Sequence, residues 1–252
     1  MRIGVCIKGV LETTADVSGY GNAFKYVMNA FDEYALEEAL RIKEKQGGVE
    51  VVALTIGNGR LEEVLYSALA LGAERAVHVV NEDGRYINGF GIASIIKNIV
   101  LMEKVDLVLM GKQSVDNSAH QVGGMLAGLL GWPQAIDTIR LQVKENEVIA
   151  ERLAENGNIE VIRAGIPCVV GVTRGINEPR YPSLKGVISA RKKEVKRVRI
   201  EELAVPGSVL YGLEIERIHP VEEKSDCRFV EGEPGNAAAE LVRILREIEK
   251  VL

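Results

Sequence analysis

Val49-Glu50-Val51-Val52-Ala53-Leu54-Thr55-Ile56-Gly57-Asn58-Gly59 is followed by an amphipathic segment from Leu61 to Leu71 and by an apolar run from Arg75 to Val80. The first run is nearly continuous in apolar residues, as in a strand covered on both faces. The glycines that end it mark a turn. Strand, helix and strand in this order predict a right-handed βαβ crossover and a parallel sheet. The alternation extends in both directions. Residues 2–7 predict a first buried strand. Phe31, Ala35, Leu36, Ala39, Leu40 and Ile42 fall at helical spacing. Asn29 stands where a cap belongs, Asp32 and Glu33 in the first turn, Arg41, Lys43 and Lys45 near the end, and Gly47-Gly48 as the stop. Ile92 to Glu103 predicts a helix, Asp106 to Met110 a strand, and His120 to Leu130 a helix closed by Gly131-Trp132-Pro133. Glu12 to Met28 has no clear period and reads as an irregular excursion.

After Trp132 the pattern changes. Ile136 to Leu153 and Ile159 to Ala164 predict antiparallel strands, turning at Glu145-Asn146 and at Asn156-Gly157-Asn158. Ile166 to Val172 is a further buried strand. After Lys193 the alternation stops: Val195 to Leu213 reads as an extended arm and Gly235 to Leu252 as an amphipathic helix. The expected fold class is therefore α/β. It is a doubly wound, mostly parallel sheet with helices on both faces, Rossmann-like, with an antiparallel insertion and a C-terminal arm. The boundaries fall at 1–194 and 195–252.

The 252 residues are 47% hydrophobic and 27% charged, ordinary for a globular protein. A net charge of −5 argues against nucleic acid as a partner. No run reaches the roughly 18 apolar residues of a membrane span, so membrane insertion is not expected. Cys6, Cys168 and Cys227 lie far apart and form no C-x-x-C, which argues against a zinc site or a disulfide framework. The N-terminus enters a strand directly, with no signal peptide, and the expected compartment is the cytoplasm.

G-x-G-x-x-G after the first strand, the Walker A sequence, H-E-x-x-H and G-x-S-x-G are all absent. His78, His120 and His219 are scattered. Ser114, Asp116 and His120 lie too close in sequence for a typical triad. What remains is Gly111-Lys112-Gln113-Ser114-Val115-Asp116-Asn117-Ser118-Ala119-His120-Gln121-Val122-Gly123-Gly124, a link from a buried strand to a helix. Gly111 allows close approach to a ligand. Ser114, Asp116, Asn117 and Ser118 offer polar atoms. The helix opening near His120 to Gly123 offers N–H groups to an anion, and Lys8 and Lys112 could add positive charge. From these residues alone, a nucleotide site and an ordinary capped loop suit the pattern equally.

Four motifs, in order over residues 1–200, carry a resemblance. They are Val5-Cys6-Ile7-Lys8, then Asn29-Ala30-Phe31-Asp32-Glu33-Tyr34-Ala35-Leu36-Glu37-Glu38-Ala39, then Gly111 to Asp116, and Asn177-Glu178-Pro179-Arg180-Tyr181 leading into a basic helix. The chain resembles the β subunits of electron transfer flavoproteins. Ala30 departs from the family's usual proline. The resemblance implies an adenine-nucleotide site built from Cys6 and Lys8, from Asn29, Ala30, Phe31 and Asp32, from Ile56 and Gly57, and from Gly111 to Gly123. It implies an α-subunit partner carrying the mobile FAD. It also implies electron flow from dehydrogenases to a quinone oxidoreductase or another acceptor. By itself such a β subunit is not a complete enzyme.

Within the loop, Gln121-Val122-Gly123 matches the members that hold a second FAD and bifurcate electrons from NADH, whereas Asn117, Ser118 and His120 match neither these nor the AMP-binding members. The expectation is FAD in this subunit, with AMP as the alternative. Residues 175–185 correspond to the family's recognition loop for dehydrogenases, with Ile176 at its apolar anchor position and Pro179 and Pro182 stiffening the chain. The competing reading from another class is a nucleotide-binding sensor of the same architecture with no redox role.

Overall fold

Glu50–Gly57 (β4) pairs in parallel with Arg75–Val80 (β5) on one side and with Arg2–Cys6 (β1) on the other. This is the crossover expected from the opening run, with Glu62–Leu71 (α2) as its helix. The structure, a computed structural model, describes residues 1–12, 25–214, 216, 217, 227 and 229–251. Leu107–Gly111 (β6) lies on the other side of β1. Next come Cys168–Val172 (β10), Gln134–Val143 (β7), Glu147–Leu153 (β8) and Ile159–Gly165 (β9). Val195–Arg199 (β11) closes the opposite edge, giving a nine-stranded sheet in the order β11-β5-β4-β1-β6-β10-β7-β8-β9. The β7–β8 and β8–β9 pairs are antiparallel and every other pair is parallel.

Helices cover both faces, so both sides of each central strand are apolar. Ile3 and Val5 of β1 point into one core with Leu36, Leu40, Leu65 and Leu109. Cys6 faces the other, with Leu54, Val77, Ile95 and Leu126. The first core lies under Ala30–Lys45 (α1), α2 and Leu184–Ala190 (α5). The second lies under Gly89–Met102 (α3) and Val122–Leu130 (α4).

Four expectations change. Gly9–Leu11 (β2), just before the stretch read as irregular, forms a two-stranded antiparallel sheet with Tyr26–Met28 (β3) at its end. Residues 13–24 of that stretch lie outside the described residues. α4 begins at Val122 rather than His120, because Ser118 and His120 both take left-handed backbone (φ +50° and +54°) and no helix can run through them. Asn29 occupies the cap position of α1 but makes no capping bond, since its side chain is engaged elsewhere.

The fourth change concerns the stretch read as an arm. Val195–Arg199 is the edge strand paired to β5, and Val198, Ile200, Leu203 and Leu210 are buried in the second core. The chain divides into Met1–Glu214 and Ile215–Leu252, so the boundary lies some way beyond residue 194. Met1–Glu214 also includes the short helix Gly207–Leu210 (α6). The second unit contains Pro234–Arg243 (α7), with proline at the start, where its missing N–H costs nothing. A π-helical stretch, Ile244–Ile248, continues it. No helix among the described residues is long and apolar enough to cross a membrane.

Candidate functional site

The chain leaves β1 toward β4 on one side of the sheet and reaches β6 on the other. The carboxyl ends of β1 and β6 therefore flank a switch point, where parallel sheets bind ligands. Asp32, in the first turn of α1 and buried, joins the two ends. Its Oδ2 accepts from the Lys8 N–H at 2.8 Å and its Oδ1 from the Gly111 N–H at 2.9 Å. Burial pushes its carboxyl up to about 7, against the hydrogen bonds of Lys8, Asn29 and Gly111 that pull it down. Gly111 is required here. A Cβ on it would stand 2.5 Å from both Asp32 Oδ1 and Phe31 Cβ.

Asn29, also buried, grips the following loop. Its Nδ2 donates to the Gln113 carbonyl at 2.9 Å and its Oδ1 accepts from the Val115 N–H at 3.1 Å. Lys8 Nζ donates to Ser114 Oγ at 3.2 Å and pairs with Asp116 at 2.6 Å. Burial would raise Asp116, but the bonds from Lys8 and Ser114 prevail and hold it below the usual carboxylate range. Ser114 donates to Asn117 Oδ1 at 2.9 Å, which accepts from the Ala119 N–H at 3.2 Å, while the Ser118 N–H returns to the Ser114 carbonyl at 2.9 Å. The loop is thus folded on itself before it reaches α4.

Lys112 turns the other way, toward Asp137 on β7, with Nζ 2.8 Å from Oδ1. His120 Nε2 lies 3.5 Å from Asp137 Oδ2. With Gly111, Gly123, Gly124, Ile136 and Gly171 these residues line a cavity of about 230 Å³ at the carboxyl ends of β6 and β10, beside the first residues of β7. The N-terminus of α4 forms part of its wall, and the N–H groups of a first helical turn have no partner within the helix. That combination suits one anionic end of a ligand.

The structure brings most of the expected site residues together. Lys8, Asn29, Asp32, Gly111, Lys112, Gln113, Ser114, Val115, Asp116, Asn117, Ser118 and His120 share this switch point, through the bonds above. Cys6 lies at the end of β1 with its side chain in the core, and burial raises its thiol far above the ordinary value. Ile56 packs at the margin of the same core. Gly57 uses its carbonyl to accept from the Asn81 N–H at 3.0 Å and to meet His78 Nε2 at 3.0 Å. The expected free positive charge changes character: Lys8 and Lys112 are both already paired with carboxylates. Asp137 carries no signal in the sequence, since on an alternating strand nothing local distinguishes it.

The stretch Asn177 to Tyr181 is fastened to α1. Asn177 Nδ2 donates to the Tyr34 carbonyl and to Glu38 Oε2, each at 3.0 Å. Arg180 Nε donates to Glu37 Oε2 at 2.8 Å and its NH2 to Glu44 at 3.1 Å, while Arg41 reaches the Glu178 carbonyl at 3.1 Å. Burial would raise Glu37, but Arg180 and Arg41 hold it low. Ile176, expected at an exposed anchor, is half-buried and packs on the first core. The outward apolar residues are instead Tyr181, 95% exposed, and Leu184, 79% exposed. A concavity of about 890 Å³ lies beside this stretch, against α1 and α2. Its wall sets Lys25, Arg60 and Arg180 against Glu33, Glu37 and Glu63, so it carries no excess positive charge for a phosphate.

The model of the electron transfer flavoprotein domain matches residues 22–203. A mitochondrial electron transfer flavoprotein subunit beta of Oryza sativa subsp. japonica is 37% identical over 214 residues, covering 81% of this chain and 84% of its own. The electron transfer flavoprotein subunit beta of Sus scrofa is 33% identical over 229 residues, with 90% and 87% covered. That of Bacillus subtilis (strain 168) is 33% identical over 231 residues, with 90% and 89% covered.

Proposed function

The chain belongs to the electron transfer flavoprotein family, among its β subunits, and from that premise we propose that it works in a heterodimer with an α subunit and holds an adenine nucleotide at the β1–β6 switch point. The observation that carries the site is the Asp32 clamp. One buried carboxylate ties the ends of β1 and β6 together and presents Gly111–Gly123 to the cavity before α4. The residues fit a phosphate group: the first turn of α4 offers N–H groups, and Asn29 fixes the loop that leads to it.

The nucleotide we favour is FAD, on the strength of Gln121-Val122-Gly123, with AMP as the alternative. A flavin in this subunit would supply the redox chemistry, with NADH as the donor and electron bifurcation as the reaction class. The first turn of α4 and the loop fixed by Asn29 would hold the phosphates. In the AMP form the same residues would hold a structural nucleotide, and an FAD in the partner would supply the redox chemistry between dehydrogenases and a quinone oxidoreductase. A nucleotide sensor without redox work gains no support from the loop fastened by Asn177 and Arg180, which suits docking to a partner protein.

The test is to purify the chain with its α subunit, release the bound nucleotide and count it. Two FAD per heterodimer supports the favoured form, and one FAD with one AMP the alternative. A colourless preparation with no nucleotide overturns both.

A further inference from the structure

Asp137 lies where the pairing of β7 with β10 breaks register. Its backbone there is left-handed (φ +62°). That geometry turns its carboxylate into the 230 Å³ cavity, against Lys112 at 2.8 Å and His120 at 3.5 Å. Lys112 and His120 are the titratable groups that face it. Lys112, the cation of this cluster, is already balanced by Asp137.

The cavity is smaller than the roughly 300–1,000 Å³ that encloses a whole ligand. It therefore takes one end, and the α4 N-terminus selects an anion. A balanced pair with a fixed carboxylate tolerates one negative charge far better than two, since the second charge is repelled by Asp137 without gaining a free cation. We propose that Asp137 sets the charge preference of this site, discriminating against a doubly charged phosphate monoester and in favour of a phosphodiester with one negative charge per phosphorus. This rests on the nucleotide reading above and deepens it, because it separates pyrophosphate-bridged dinucleotides from mononucleotides.

The experiment titrates the full-length chain and its Asp137→Asn variant with AMP and with ADP-ribose by calorimetry at pH 8. Asparagine is the substitute best suited to a left-handed backbone, so the fold is kept, and a melting curve checks this. AMP should bind the variant about 5-fold more tightly or better, the scale of one charge at a partly exposed site. ADP-ribose should change by less than about 2-fold, since its diester meets less repulsion. The AMP difference between the two proteins should also shrink toward pH 5.5, as the monoester, whose second pKa is about 6, takes up a proton. An AMP affinity that does not rise in the variant, or an equal change for both ligands that persists at pH 5.5, overturns the proposal. If neither protein binds either nucleotide, the nucleotide site itself falls and this inference with it.

Discussion

Asp32 carries an unusual load for one carboxylate, because two strands and a helix end meet on it. Its folded pKa of about 7 stands well above the ordinary value. The folded protein therefore binds a proton more readily than the unfolded chain. That contribution to stability is complete below about pH 4 and is lost as the pH rises through about 7. The melting temperature of the wild type should fall between pH 5 and pH 8, and Asp32→Asn should flatten that slope. The variant should also be less stable overall by about 1–3 kcal/mol, since one of the two N–H donors would then face an amide NH₂. Equal slopes in the two proteins would assign the effect elsewhere.

Gly111→Ala tests the same junction from the other side. The added methyl group overlaps Asp32 and the Phe31 backbone, so denaturant melts should show a loss of about 1–3 kcal/mol. A variant as stable as the wild type would mean that α1 can move away. At this scale the sequence was partly legible. Gly111 and the polar loop announce themselves as a strand-to-helix turn. Asn29 and Asp32 enter the expected site only through the family resemblance; their local pattern is that of helix-start residues, because what distinguishes them is bonding to residues some 80 positions away. Asp137 gave no local signal at all.

At the scale of elements, the stretch Asn177 to Ala190 divides its labour. Asn177 and Arg180 are spent on α1, and Ser183 caps α5 by accepting from the Gly186 N–H. This leaves Tyr181, Leu184 and Ile188 facing outward on a chain that has little freedom left to lose. The docking role expected of residues 175–185 therefore rests better on Leu184 than on Ile176. Leu184→Ala should weaken electron transfer from a partner dehydrogenase by roughly 1–3 kcal/mol, read from its KM, with an unchanged melting temperature. Ile176→Ala should do the reverse, lowering the melting temperature through lost packing. If Ile176→Ala raises KM at constant stability and Leu184→Ala does not, Ile176 is the anchor. Legibility at this scale followed the length of the pattern. β4, β5, α1, α2 and α3 were readable within a few residues because their periods run long. β2 and β3 have three residues each, too few to show a period. β11 was hidden because an edge strand carries basic residues, here Lys196, Arg197 and Arg199, that break the apolar run.

For the whole molecule, the division between Met1–Glu214 and Ile215–Leu252 changes what a truncation would mean. Removing residues 195–252 strips β11 from the sheet, bares β5 and takes Val198, Ile200, Leu203 and Leu210 out of the second core. Such a chain should be poorly soluble, and its failure to bind a partner would say nothing about an interface. Removing only residues 215–252 leaves the nine-stranded sheet and both cores intact. The melting temperature should then stay within a few degrees of that of the full chain. What the shorter deletion removes is α7 and the residues after it, which expose Leu241, Val242, Ile248 and Val251. Exposed apolar residues on a terminal segment suit contact with an α subunit, in keeping with the proposed heterodimer. Co-expression of the 1–214 chain with the α subunit should therefore yield a folded protein that elutes separately from its partner. Co-elution at full strength would place the interface on Met1–Glu214 and end the case for the tail as the element that holds the partner.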